Sequence, residues 1–475
     1  MRPGAAVIKT QTGIGSSQDA PKAWLGAVRR VSFLLLMVVT AISGCLGSAD
    51  PSPTQRSIAL DTKPCQQPEL WPFSLGDQKN RFLVHYRSPD EIDMARTVVS
   101  ELEAAWDFET QTLGFEPPLP DAGECGPDER FDVFIWRGKE TCFVQIIHEG
   151  LDEKYILAPG APWGGRTSYM VVDPWGKYGK EILGQTMAHE LNHASHAVQD
   201  WYEAGDVFEM TATYVEQYFN KALAYNIVDF QAHPDWGLLF YDDYATYYMY
   251  GSGLYLYFLR DYYFSRQASV DEKFPARLWS YVRNDELRPL VNKPNLVDGL
   301  TRLLAPFGHS FADSALVFAR WRYYAGSHDD GKHFKPWPGL AKESLLPFLQ
   351  GADIKPVLIV LANTSYKVEP PPMLLGNGYV EITGADASQK SFRVTLDAPL
   401  NAAVRWVVQA VPGTTEGSDG ETLDLSPGWA RVDFAGAANG QRGKRTLIIT
   451  AVPTTTLDPD DRSAERFPVT LRVQP

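Results

Sequence analysis

His189-Glu190-Leu191-Asn192-His193 lies inside a run of helix-favouring residues, and the reading of the whole chain starts from its spacing. On a helix, residues i and i+4 share one face, a turn apart. Two imidazoles so placed can hold one zinc ion, each at about 2.0–2.1 Å. Glu190 falls on the neighbouring edge of that face. There a carboxylate can take a proton from a water on the metal without ligating the metal itself. Two surface histidines on a polar helix would be the plain alternative. That reading makes no demand on the rest of the chain, whereas the metal reading requires a further ligand.

A catalytic zinc takes three protein ligands and leaves one position for water. An extended HExxHxxGxxH run is excluded, because His196 stands at its glycine and Gln199 at its third histidine. Downstream, Phe208-Glu209-Met210-Thr211-Ala212-Thr213-Tyr214-Val215-Glu216 places Glu209 16 residues after His193. That distance allows one helix to end near Asp200, a turn through Glu203-Ala204-Gly205-Asp206, and a return helix. Glu203 and Glu216 are rival ligands. Glu203 lies in the turn and is less well aimed. Glu216, two turns beyond Glu209 on the same face, suits a carboxylate that orients a metal-bound histidine. Glu209 could also be a solvated acid favoured by a helix start. His196 shares the stripe of His189 and His193 but reads as a capped or solvent-facing histidine.

The Glu209 segment resembles the NEGxAxYxE stretch of aminopeptidase N-type gluzincins, a group of zinc peptidases. Glu209 matches their metal ligand, and Ala212, Tyr214 and Glu216 fall in register. Tyr250-Gly251-Ser252-Gly253 and the apolar run to Leu259 resemble the YxKGxxxxxL helix start of the same family. The resemblance puts that family's tyrosine, a donor to the oxyanion, on Tyr250. Gly253 matches, but Ser252 replaces the lysine. Tyrosines crowd the region, so an aromatic core helix remains an alternative. The GxMEN motif that reads a free substrate N-terminus is absent. Gly164–Asp173 reads as an edge strand, a place to hold an extended peptide by strand addition. Both features favour an endopeptidase over an exopeptidase. The resemblance covers roughly residues 165–265.

Near the N-terminus, Arg29 and Arg30 lead an apolar run that ends in Ile42-Ser43-Gly44-Cys45. A basic pair, an apolar core and small residues make a secretory signal. Its end resembles the lipobox of bacterial lipoproteins, which implies lipidation of Cys45. An ordinary signal cut near Gly44, or an uncleaved anchor, is the alternative, although the run is short for a spanning helix. Residues 1–28 are too long and polar for a signal start, which fits a true start near Val28. Cleavage removes five basic residues and one acidic, so the formal charge of −14 becomes −18. So acidic a chain is a poor partner for nucleic acid. The partners expected are a peptide or protein substrate and, through the lipid, a membrane; the chain reads as a monomer of the bacterial cell envelope, anchored at the outer membrane. Cys65, Cys125 and Cys142 remain for an oxidising compartment. Cys125 and Cys142 flank the expected strand Phe131–Trp136 and are the favoured pair, with Cys65–Cys125 open.

The expected organisation follows. Residues 1–45 are the signal with its lipobox, and 46–79 a tether rich in Pro, Ser and Gln. Residues 80–350 form an α+β, zincin-like domain: a small sheet with an Asp90–Thr112 helix, and a mainly helical lower lobe (206–222, 251–264, 275–283, 310–325). From about Pro356, runs rich in Val, Ile and Thr alternate with turn signals: Val357–Leu361, Tyr379–Ile382, Phe392–Leu396, Val404–Val411, Ala430–Phe434, Thr446–Val452 and Pro468–Val473. These predict a β-sandwich accessory domain over 355–475. As a whole the chain resembles gluzincin-type metallopeptidases carried as lipoproteins by environmental Gram-negative bacteria. The rival from another class is a non-catalytic surface lipoprotein that uses a zincin scaffold and the sandwich for binding.

Overall fold

Period-two alternation builds the first sheet. In β3 (Phe131–Ile135), Val133 and Ile135 turn to one face and Phe134 to the other, as successive strand residues must. The computed structural model describes residues 64–138, 142–147, 165–175, 182–221, 226–241, 246–266, 269–283, 292–335, 351–413, 418–434, 441–460 and 463–475. Around β3 stand β1 (Phe73–Gly76), β2 (Phe82–Tyr86), β4 (Phe143–Ile146) and β5 (Ser168–Val172), in the order β1-β2-β3-β5-β4. Strands β2, β3 and β5 run parallel, and the outer strands β1 and β4 run antiparallel to their neighbours.

One face of this sheet packs on α1 (Ile92–Asp107) and α2 (Leu183–Gln199). Ala95, Val98 and Leu102 meet it from α1, and Leu183, Met187 and Leu191 from α2, each set at helical spacing. Trp71, Phe134, Trp136, Tyr169 and Val171 close the opposite face.

Three expectations are corrected here. Strand β5 is not an edge: it lies between β3 and β4, and all five of its residues are buried. The edge beside it is β4, a run too short to read from the sequence. A disulfide joins Cys65 to Cys125, so Cys125 does not pair with Cys142. Cys125 lies in the cluster outside the sheet and Cys142 packs with the cluster under it, so the sheet separates them. Residues 64–79 are not tether: Trp71 is buried and donates from Nε1 to the Ile135 carbonyl at 2.8 Å, and β1 pairs with β2. The signal, Cys45 and residues 46–63 of the tether lie outside the described residues.

Beyond α2 the chain is helical. Helix α3 (Gly205–Asn220) is followed by α4 (Asn226–Ala232), α5 (Tyr248–Gly251) and α6 (Gly253–Leu259). A π turn then leads to a small hairpin of β6 (Ser265–Arg266) and β7 (Ser269–Val270). Helices α7 (Phe274–Tyr281), α8 (Leu296–Leu304) and α9 (Phe311–Tyr323) complete the region. Their shared core is aromatic, with Tyr214, Phe230, Tyr255, Phe258, Trp279 and Phe318 in one cluster. Asn295 with Asp298, and Ser310 with Asp313, cap α8 and α9 reciprocally.

From Val357 on, the described residues carry strands and no helix. One sheet runs β13 (Glu421–Thr422), β12 (Val404–Val411), β15 (Lys444–Pro453), β10 (Asn377–Thr383), β8 (Val357–Val360). The other runs β14 (Ala430–Asp433), β11 (Ser391–Asp397), β16 (Thr470–Gln474), β9 (Thr364–Lys367). Val380, Ile382, Val408 and Ile449 of the first meet Phe392, Val394, Leu471 and Val473 of the second in one apolar core. The back of the first sheet meets α9: Ala319 and Tyr323 pack with Tyr379, Val411 and Ile448, and Tyr379 donates to the Ala319 carbonyl at 2.6 Å. The described residues belong to one compact unit of α+β architecture.

Candidate metal centre

Helix α2 has two unlike faces. Its Leu183, Met187, Leu191 and Ala194 stripe is fixed beneath the sheet, which leaves His189 and His193 facing α3. Helix α3 returns alongside, anchored by Val207, Met210, Tyr214 and Tyr218 in the aromatic core. Glu209 and Glu216 therefore face α2, two turns apart.

Three donor atoms converge there. His189 Nε2 lies 3.1 Å from Glu209 Oε2 and 3.1 Å from His193 Nε2, and His193 Nε2 lies 3.6 Å from Glu209 Oε2. Ligands about 2.0–2.1 Å from a tetrahedral ion sit roughly 3.3–3.4 Å from one another. The observed triangle brackets that separation, so the donor set fits zinc in chemistry and in size. A second grouping, Asp121, Cys125 and Asp132, offers no thiolate because Cys125 is in the disulfide.

The far nitrogen of His189 is also engaged. Its Nδ1 lies 2.9 Å from Glu216 Oε2, and Gln185 Nε2 donates to the other Glu216 oxygen at 3.1 Å. Glu216 thus meets the far side of His189 and lies outside the group of three donors. Burial alone would raise the Glu209 carboxyl, but His193 and His189 outweigh it and hold it at about 2. Burial would likewise disfavour a charged His189, yet Glu216 and Glu209 carry its pKa well above the ordinary value. Burial raises the pKa of Glu190, against the pull of His189 and His193. A carboxylate whose pKa is raised is a better base.

Tyr250, half-buried, has its ring centroid 6.1 Å from that of His189. Gly253 lets α6 lie against α3: a Cβ there would stand 3.2 Å from the Met210 carbonyl, one residue past Glu209. Other residues weighed from sequence fall elsewhere. Glu203 is buried in the turn and accepts from Asn292 Nδ2 at 2.8 Å, outside the ligand triangle. Tyr248 is core, its hydroxyl donating to the Gly237 carbonyl at 3.0 Å. His196 is neither capped nor solvent-facing. It is wholly buried and stacked on Trp279 at 3.8 Å, and neither ring nitrogen has a hydrogen-bond partner among the described residues.

Two residues of the site escaped the sequence reading. Gln185 stands one turn before His189, and the i−4 spacing could have drawn attention to it. Glu109, fully buried just beyond α1, accepts from Asn192 Nδ2 at 2.9 Å and fixes the pentad from behind. Burial pushes its pKa well up. It lies 83 positions from Asn192, and no spacing signal links them.

No protein-family model matches this chain, and no curated protein matches it.

Proposed function

We propose that the chain is a secreted, membrane-anchored zinc peptidase of the zincin type, acting as an endopeptidase. The observation that carries this reading is the convergence of His189, His193 and Glu209 with Glu190 alongside on α2. A zinc ion held there supplies Lewis acidity, which brings the pKa of water toward neutrality and polarises a carbonyl. Glu190 accepts the proton of the attacking water and delivers it to the leaving amine nitrogen. Tyr250 offers its hydroxyl to the oxyanion. Glu216, itself held by Gln185, keeps His189 in one tautomer and orientation. Among the described residues strand β4 is one of the sheet's two outer strands and packs on α2, so a peptide running beside it would pass the site. Lipidated Cys45 would anchor the protein at the outer membrane of the cell envelope.

Metal analysis of purified mature protein tests the site. About one zinc per chain is expected from a single three-ligand centre. His189→Ala and Glu209→Ala should empty it, and Glu203→Ala should leave it filled. Zinc lost with Glu203→Ala but kept with Glu209→Ala would refute the ligand assignment.

A further inference from the structure

The outer side of the first sheet holds a cluster that the chemistry at His189 does not use. Asp132 of β3 stands two residues before Phe134, so it shares that strand's outward face. It is 2% exposed. Its Oδ1 lies 2.6 Å from His85 Nε2, and its Oδ2 has no hydrogen-bond partner among the described residues. Asp121, also buried, comes from the loop before β3 and accepts from the Gly123 and Cys125 amides, each at 2.8 Å. One ligand atom from each of Asp121, Cys125 and Asp132 lies within 4.8 Å of the other two. Gly126 permits this approach, because a Cβ there would collide with the Asp132 carboxylate.

The two carboxylates crowd each other. Burial, with Asp132 close by, pushes Asp121 up to about 6, and burial raises Asp132 against the pull of His85. Arg130 is already paired with Asp128 at 2.6 Å. Two buried carboxylates this close call for a proton or a cation between them. While Cys125 stays in the disulfide, its sulfur can serve no metal. Cys125 is buried, but its partner Cys65 is only half-buried and so within reach of a reductant.

We propose that reductive opening of the Cys65–Cys125 disulfide creates a second zinc site from Cys125 Sγ, Asp121 and Asp132, with His85 orienting Asp132. The reductant is a dithiol. One of its thiolates bonds to Cys65 Sγ, and the electron pair of the broken S–S bond leaves with Cys125 as thiolate. The reductant's second thiol then displaces Cys65 as a thiol and closes into a cyclic disulfide. Left alone, the Cys125 thiolate would add a charge beside two buried carboxylates. Zinc takes thiolate sulfur at about 2.3 Å and carboxylate oxygen at about 2.0–2.2 Å, which sets such donors roughly 3.3–3.6 Å apart. A sulfur released from Cys65 is free to turn about its Cα–Cβ bond and close that gap. His85, on the other oxygen of Asp132, is the kind of partner that fixes a ligating carboxylate. The site does not depend on the one at His189.

The test uses cadmium as the probe, on the mature chain with zinc at the His189 site. Thiolate bound to cadmium absorbs in the near ultraviolet by charge transfer, and imidazole or carboxylate does not. The band therefore reports this site whatever the His189 site holds. Cys65→Ser frees Cys125 without any reductant. It should show the band and bind about one cadmium per chain, as one three-ligand site requires, where oxidised wild type shows no band. Adding Cys125→Ser should abolish the band, and adding Asp132→Asn should weaken cadmium by at least about 10-fold. Should Cys65→Ser fail to fold, wild type reduced with a water-soluble phosphine carries the test. The band should then appear in wild type and not in Cys125→Ser treated alike. A folded Cys65→Ser or a reduced wild type without the band overturns the proposal. So does a band that survives Cys125→Ser, or an affinity that Asp132→Asn leaves unchanged.

Discussion

His189 meets acidic neighbours at both ring nitrogens, Glu209 at Nε2 and Glu216 at Nδ1. A neutral imidazole carries one proton, so an acceptor at Nδ1 leaves Nε2 free to ligate. In the proposed site Glu216 would therefore set which nitrogen faces a metal, and Gln185 donates to Glu216. Tyr250 lies beside His189, with ring centroids 6.1 Å apart, and the roles open to it differ in what its hydroxyl does. Tyr250→Phe keeps the ring and removes the donor. If the hydroxyl stabilises the oxyanion, turnover on a peptide substrate should fall by about 10²–10³-fold, with zinc content and Tm unchanged. Turnover close to wild type would return Tyr250 to the aromatic core. Tyr248 is then no substitute, its hydroxyl being bound to backbone, whereas Tyr247 is 38% exposed and close by.

At the scale of elements, periodicity was legible and pairing was not. The i, i+4 histidines, the return helix with Glu209 and seven strands of the two C-terminal sheets could be read from local pattern, because each pattern records one element's own buried face. Helices α4 and α8 were missed: each is under ten residues, too short to display more than two turns of a stripe. The edge position was misassigned for a related reason. Ser168–Val172 is a short, mostly apolar run whose two faces are covered and whose two sides are paired. Which strand lies outermost depends on partners far away in sequence. The disulfide failed on the same point, since residues that flank a strand can end on opposite sides of the sheet. Glu109 and Asn292 belong to this class too, as each acts through tertiary contacts that leave no spacing behind.

For the whole molecule, the aromatic helical core packs on α3 and the mixed sheet on α2, and the first C-terminal sheet reaches the helical region through α9. The described residues contain no helix long and apolar enough to cross a membrane. Membrane attachment in this account rests on Cys45. Mass spectrometry of the mature N-terminus should find a lipidated cysteine as the first residue, and Cys45→Ser should release the protein from the membrane fraction. An unmodified N-terminus at another residue would rule out the lipid anchor.

The central claim is that Glu190 performs proton transfer beside a metal held by other residues. The rate of hydrolysis of an unfolded protein by zinc-loaded Glu190→Gln, set against wild type at equal zinc content, tests it most directly. The amide preserves size and one acceptor oxygen but cannot accept the proton. The account predicts a variant that keeps its zinc and loses about 10²–10⁴-fold in rate, the range for general acid–base catalysis. A variant that keeps both its zinc and its full rate would contradict it.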